Sequence, residues 1–257
     1  MNINITKSSF EKIKEKMITS INNQVSYFDS FLEDHILKSE HYEILNGSEQ
    51  IGYFSIFDKS LLTQYYLDKS FRYCSQEIFD KIRRYEEIQR AFVSTADEFF
   101  LTHIIDYSRK IEPQAYFFKD IKAEISDDNI LNNFTCRLAV QQDIKLIKDK
   151  TGDFFDDVVE QVQKKQIYIG YKDEEIMSFG IIEKSQIYRN VASIGMYTVS
   201  EKRQCGIGRN TLIRLKEICY QEGIIPIAGC WYYNHNSKKT LQSAGMIPQS
   251  RLLVAKL

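Results

Sequence analysis

Apolar positions recur along the chain at two periods, and the switches between them mark out the elements. Phe10, Ile13, Met17 and Ile21 follow helical spacing behind Ser8 and Ser9, which predicts a helix with a serine cap. Val25, Phe28, Phe31, Leu32 and Ile36 repeat the pattern and predict a second helix. Asn46-Gly47 then separates the apolar runs Tyr42–Leu45 and Ile51–Phe57. That dipeptide tolerates the two positive φ angles of a type I′ turn, so a hairpin is predicted. Leu61–Leu67 reads as a third strand. A helix is expected over Gln76–Arg90, with Ile78, Phe79, Ile82 and Tyr85 on one face. Ala91–Thr95 reads as a buried strand, Glu98–Lys110 as a helix and Ala115–Phe118 as another strand.

The polar stretch Asp120–Asn133, which holds Ser126-Asp127-Asp128-Asn129, is the expected linker. It sets the predicted domains at 1–125 and 126–257. Beyond it come a strand at Phe134–Val140 and helices at Asp143–Lys150 and Phe155–Lys165. A hairpin joins Ile167–Tyr171 to Ile176–Ile182, and a strand follows at Ala192–Val199. A helix over Gly208–Glu222 closes at Gly223, where a left-handed residue ends helices. A strand at Ile224–Tyr233, a short helix at Ser237–Ser243 and a strand at Ser250–Lys256 complete the chain. Each half therefore runs hairpin, strand, long helix, strand, helix, strand. An ancestral duplication accounts for this; two unrelated α+β segments of similar rhythm are the plainer alternative.

Composition narrows the partners. Lys plus Arg number 34 against 35 for Asp plus Glu, a net charge of -1 with no basic stripe, so nucleic acid is not expected. No apolar run nears the roughly 20 residues that span a bilayer, and Met1–Phe10 alternates polar and apolar residues, unlike a secretory signal. Cys74, Cys136, Cys205, Cys219 and Cys230 form no C-x-x-C pair, and His35, His41, His103 and His235 lack ligand spacing. A cytoplasmic, metal-free protein is the expectation.

The stretch richest in chemistry is Thr198-Val199-Ser200-Glu201-Lys202-Arg203-Gln204-Cys205-Gly206-Ile207-Gly208, which joins an apolar strand to an amphipathic helix. On that helix Leu212, Leu215 and Cys219 make the buried stripe, with Arg209, Arg214, Lys216 and Gln221 expected on the wet side. A helix N-terminus offers unpaired N–H groups and the positive end of the dipole. Gly206 and Gly208 remove side chains that would hold a phosphate away, and Arg203 adds a guanidinium suited to its oxygens. The loop is therefore expected to hold a phosphate or pyrophosphate. It lacks the Gly-Lys-Ser/Thr of a P-loop and the spacing of a dinucleotide fold.

Arg203, Gly206 and Gly208 match R-x-x-G-x-G, and Asn234, Ser237 and Gly245 match N-x-x-[AS]-x(7)-G-[FM]. By these two motifs, Phe134–Leu257 resembles the GNAT acyltransferase superfamily. The resemblance implies an α+β fold, two GNAT-like mixed-sheet domains packed in tandem. It implies coenzyme A or acetyl-CoA as the acyl donor, held by Arg203, Gln204, Cys205, Gly206, Ile207 and Gly208 together with Asn234 and Ser237. A main-chain N–H at Tyr197, Thr198 or Val199 would polarise the thioester carbonyl, in a wedge opened by two splayed strands. The acceptor would be a small-molecule or peptide amine, with neither nucleic acid nor membrane as partner; a homodimer is left open.

The chain departs from the family pattern at the acid and base. Leu241 occupies the position of the usual tyrosine, and Ile194 and Met196 leave no glutamate on the strand before the loop. Tyr232, Tyr233 or Tyr197 could supply the proton, the first two being the expected catalytic pair; strand alternation lets only one of Tyr232 and Tyr233 face the cleft. The plainer reading makes these tyrosines core or cleft wall. Asn234 reads either as a ligand to the donor or as a helix cap. Cys205 reads as an incidental loop residue, because the superfamily transfers the acyl group directly, and His235 as a polar residue near a helix start. Asp97 and Glu98 cap a helix or line an acceptor site. At the matching loop of the first half, Leu67–Ser75 has no glycine, so that half is expected to be degenerate and without the cofactor. A non-catalytic acyl-CoA-binding module is the alternative function. An aminoacyl transferase of the Fem type fits less well, since that class does not keep an intact pyrophosphate loop.

Overall fold

A computed structural model of the chain describes residues 2–84, 88–123 and 130–257. By contact the chain divides into two compact units, Met1–Phe117 with Gln249–Leu257, and Phe118–Pro248. The expected linker residues Ser126–Asn129 and the expected helical Tyr85 lie outside the described residues.

The first unit begins with β1 (Ile3–Ser8), α1 (Phe10–Asn22), α2 (Ser30–Leu37), β2 (Glu40–Asn46), β3 (Glu49–Phe57) and β4 (Leu61–Leu67). It continues through α3 (Ser75–Arg83), β5 (Arg90–Ser94), α4 (Glu98–Tyr107) and β6 (Lys110–Asp120), whose last residues, from Phe118 on, fall in the second unit. Its strands lie in the order β1-β2-β3-β4-β5-β12-β6, where β12 is Met246–Lys256. The first four strands are antiparallel in sequence, and β4 runs parallel to β5. All seven residues of β4 are buried, as a strand covered on both faces must be. Around it Tyr42 stacks on Phe54 at 4.8 Å, and Tyr65 meets Phe79 at 5.0 Å. Ile78, Ile82, Phe100 and Ile104 carry α3 and α4 into the same core.

Two expectations fail here. β1 was not foreseen, although Ile3 and Ile5 alternate with polar residues as a half-buried strand does. Val25 is 79% exposed, because the chain between Asn22 and Ser30 is not helical and Asp29 starts α2 by accepting from the Leu32 N–H.

The second unit repeats the element order with β7 (Phe134–Leu138), α5 (Ile144–Thr151), α6 (Val158–Gln163), β8 (Ile167–Lys172), β9 (Glu175–Lys184) and β10 (Val191–Thr198). After these come α7 (Ile207–Gln221), β11 (Ile225–Trp231) and α8 (His235–Ser243). Its strands lie in the order β11-β10-β9-β8-β7. Ile147, Val158, Val162, Ile167, Ile169 and Phe179 form its main core. Pairing of Leu252–Lys256 with Ala91's strand, Leu252 opposite Ser94, places the end of β12 in the first unit. A strand belongs where its N–H and C=O groups find partners, and those partners are remote in sequence.

Candidate acyl-donor site

The second unit opens between β10 and β11. These parallel strands pair at Val191–Ile225, Ala192–Pro226 and Ser193–Ile227, and then part. The gap is a cleft of about 210 Å³ walled by Ile194, Met196, Leu212, Trp231 and Leu241, with Asn234 and Ser237 as polar wall. Phe154 closes one side, its ring 5.2 Å from that of Tyr197.

At the mouth lies the Val199–Gly208 loop. A short 3-10 turn, Ser200–Lys202, leads into a stretch where Gln204 has φ +63° and Gly206 has φ +76°. Left-handed residues set between ordinary ones turn successive amides to one side, forming a concavity for an anion. Among the described residues, the N–H groups of Gln204, Cys205, Gly206, Ile207 and Gly208 have no acceptor. These are the donors that a helix start leaves unmet.

The loop is held from behind. Asn210, almost fully buried, donates its Nδ2 to the Gly206 carbonyl at 3.0 Å and accepts the Leu131 N–H at 2.9 Å. Thr211 donates to the Ile207 carbonyl and lies 2.7 Å from the Ser178 hydroxyl. Ile207 packs with Phe134 and Met177. The amides are thus fixed before any ligand arrives, so less ordering has to accompany binding.

The two glycines have different jobs. Gly206 is required by its left-handed φ. At Gly208 a Cβ would stand 3.0 Å from Met196 Sδ and 3.2 Å from Thr198 Oγ1, so this glycine lets α7 close on β10. The expectation that both clear space for a phosphate is corrected at Gly208. Arg203, exposed, donates its Nε to the Thr198 carbonyl at 3.3 Å and lies over the Tyr197 ring. Arg209, expected on the wet face of the helix, folds back instead. Its Nη2 lies 3.3 Å from where a Cβ on Gly206 would be, a second cation at the loop that helical periodicity could not reveal.

Lys216 is likewise misplaced by the sequence reading. It is 5% exposed, paired with Asp120 at 2.7 Å, and donates to the Ala244 carbonyl. Its spacing from Leu212, Leu215 and Cys219 puts it on the buried stripe, a signal overridden by its charge.

Of the three amides expected to face the thioester, Val199 N–H donates to the Met177 carbonyl at 3.1 Å. Alternation along the antiparallel β9/β10 ladder turns the Tyr197 amide the same way. Thr198 faces the open edge, joined by Met196, which was not anticipated. Tyr232 and Tyr233 also shift in meaning. β11 ends at Trp231, and the Asn234 N–H donates to the Trp231 carbonyl, so neither tyrosine is a strand residue and strand alternation does not apply to them. Trp231, not either tyrosine, walls the cleft, while Tyr233 is 52% exposed. Asn234 is the cap of α8, its Oδ1 accepting from the Ser237 N–H at 3.0 Å. Cys205 donates its thiol to the Arg203 carbonyl.

In the first unit, the matching segment Lys69–Cys74 is a 3-10 helix running directly into α3. No left-handed residue interrupts it, and the Phe71 amide is spent on the Asp68 carbonyl.

Comparisons with known proteins bear on the fold. A family profile described as the acetyltransferase (GNAT) domain matches residues 9–121. No curated protein matches the sequence. Among solved structures, the chain is similar to an acetyltransferase of the GNAT family from Colwellia psychrerythraea, at 18% identity over 99% of both chains, with a TM-score of 0.87. It is similar to a tandem GNAT protein from the clavulanic acid biosynthesis pathway, at 8% identity over 99% of this chain and 98% of that one, with a TM-score of 0.64. A GCN5-related N-acetyltransferase from Sphaerobacter thermophilus is also similar, at 9% identity over 100% and 95%, TM-score 0.64. At such identities the likeness is one of fold. The profile falls on the half without the glycine loop, whereas Arg203–Gly208 lies outside it. Residues 9–121 thus match the acetyltransferase (GNAT) domain family, and the chain as a whole has the tandem GNAT fold.

Proposed function

We propose that the second unit binds an acyl-coenzyme A, acetyl-CoA foremost, and transfers its acyl group to an amine. The observation that carries this reading is the row of unmet amides from Gln204 to Gly208 at the start of α7, beside strands that part. The amides and the guanidinium groups of Arg203 and Arg209 suit a pyrophosphate, and the apolar cleft between β10 and β11 suits a pantetheine arm. The open-edge amides of Met196 and Thr198 suit the thioester oxygen, whose negative charge grows as the amine attacks. In the reaction a C–N bond forms and the C–S bond breaks. One proton leaves the nitrogen and one reaches the departing sulfur.

A specific observation favours a second reading, an acyl-CoA-binding module without turnover. Among the described residues the cleft wall includes no carboxylate, histidine, lysine or tyrosine, and Leu241 stands in it where a proton donor is usual for the family. On the catalytic reading the protons move through water or through Tyr232 or Tyr233.

Calorimetric titration with coenzyme A and thiol release from acetyl-CoA across an amine panel decide between the two. Binding with release supports transfer, and a fall in kcat on Tyr232→Phe or Tyr233→Phe with unchanged KM for acetyl-CoA identifies the proton donor. Binding without release with any amine supports the module. Absence of binding at millimolar coenzyme A overturns both.

A further inference from the structure

The first unit has a cleft of its own, about 380 Å³, within the range of small-molecule sites. It lies near where β4 and β5 part, after the pairs Leu61–Arg90 and Leu62–Ala91. Gln24, Arg72, Asp97 and Glu98 bring its charge and polarity.

Arg72 is fixed in place by donating its Nε to the Leu67 carbonyl at 3.4 Å and by lying over the Phe99 ring at 4.3 Å. Among the described residues no carboxylate lies within ion-pair distance of its guanidinium, although Asp97 is near enough to feel its charge, so the planar fork is left for a carboxylate. Asp97 caps α4, one oxygen accepting from the Phe100 N–H and the other from Gln24 Nε2, both at 3.1 Å. Gln24 Oε1 is buried and has no donor among the described residues. A buried acceptor without a donor costs free energy until something supplies one. A simple anion would meet Asp97 and Glu98, and a simple cation would meet Arg72.

We propose that this cleft binds a small zwitterion of the α-amino acid type, its carboxylate on Arg72 and its ammonium between Asp97 and Gln24 Oε1. The site is independent of acyl transfer in the second unit, since every group it uses lies in the first.

The experiment is calorimetric titration of the full chain with each proteinogenic L-amino acid in turn, with acetate and ethylamine as single-charge controls. At least one amino acid binds with a sub-millimolar Kd. Loss of either ligand charge weakens binding about tenfold or more, the usual cost of a charge-assisted hydrogen bond. Arg72→Gln gives the same loss, and Arg72→Lys, which keeps the charge without the fork, falls between. Asp97→Asn keeps the cap through its amide oxygen, while its amide nitrogen replaces the acceptor of Gln24 Nε2 and turns the Gln24 amide over to accept from it, so this variant retains the fold and loses both acceptors of the ammonium. The proposal is overturned if no amino acid gives saturable binding at millimolar concentration. It also fails if the folded Arg72 and Asp97 variants bind a hit as tightly as the native chain.

Discussion

Arg72 and Arg203 make the same bond in the two units, each donating its Nε to the carbonyl five residues earlier, at Leu67 and at Thr198. The distances are 3.4 and 3.3 Å. Both carbonyls end a strand, β4 before α3 in the first unit and β10 before α7 in the second. From this shared anchor the guanidinium groups diverge, one to Phe99 of α4 and the other to Tyr197 of β10. The units therefore share a frame and differ in what the frame presents: a 3-10 helix in one, an open row of amides in the other.

Gly206 sets that row through its backbone. Gly206→Ala must hold a Cβ at φ +76°, at a cost of about 1–2 kcal/mol. Gly206→Glu adds a negative charge among the amides. Urea titration will show a loss of stability for both variants, and Gly206→Glu will abolish the thermal shift that the proposed acyl-donor site predicts for coenzyme A.

Gly208 sets the distance between α7 and β10. A Cβ there lies 3.0 Å from Met196 Sδ, so Gly208→Ala overpacks the contact and costs about 1–3 kcal/mol. Shortening the neighbour makes room. The double variant with Met196→Ala will lose less stability than the sum of the two single changes, a coupling that a double-mutant cycle reads directly.

Asp97 gives the first unit a pH dependence of definite sign. Burial lifts its carboxyl to about 6 from an ordinary 3.8, against the opposing pull of the Phe100 N–H and Arg72. Between those values the folded chain binds more protons than the unfolded one, so this group lowers stability as pH rises toward 6. Asp97→Asn will melt higher than the native chain above pH 6, and the difference will shrink as pH falls toward 4. A pH-independent difference in Tm would contradict the assignment.

Lys216 and Asp120 form a pair with side chains only 6% and 2% exposed. Lys216→Met strands the carboxylate in the interior, at about 3–5 kcal/mol. Replacing both, with Asp120→Leu, will recover much of that loss. If the single change is as mild as the double one, the pair is solvated and the burial argument fails.

Where the periodicity was long and local, the sequence located elements closely: Leu61–Leu67 is β4 residue for residue, and Ser9 precedes α1. The buried stripe Leu212, Leu215 and Cys219 is as expected. Errors cluster where a non-local contact decides. Strand ends were misplaced at Trp231 because the Asn234 turn stops β11 before Tyr232, and α6 is shorter than Phe155–Lys165 because Asp157 caps it late.

Residue order alone carried the repeated sequence of elements, the strand–loop–helix with its two glycines and the absence of glycine from Leu67–Ser75, because these depend on near neighbours and on backbone conformations few residues adopt. Folding in three dimensions settled the rest. It returned β12 to the first unit, turned Arg209 onto the loop, buried Lys216 against Asp120 and gave Gly208 a packing role. Each of these turns on which atoms meet across long stretches of chain, and periodicity has no term for that.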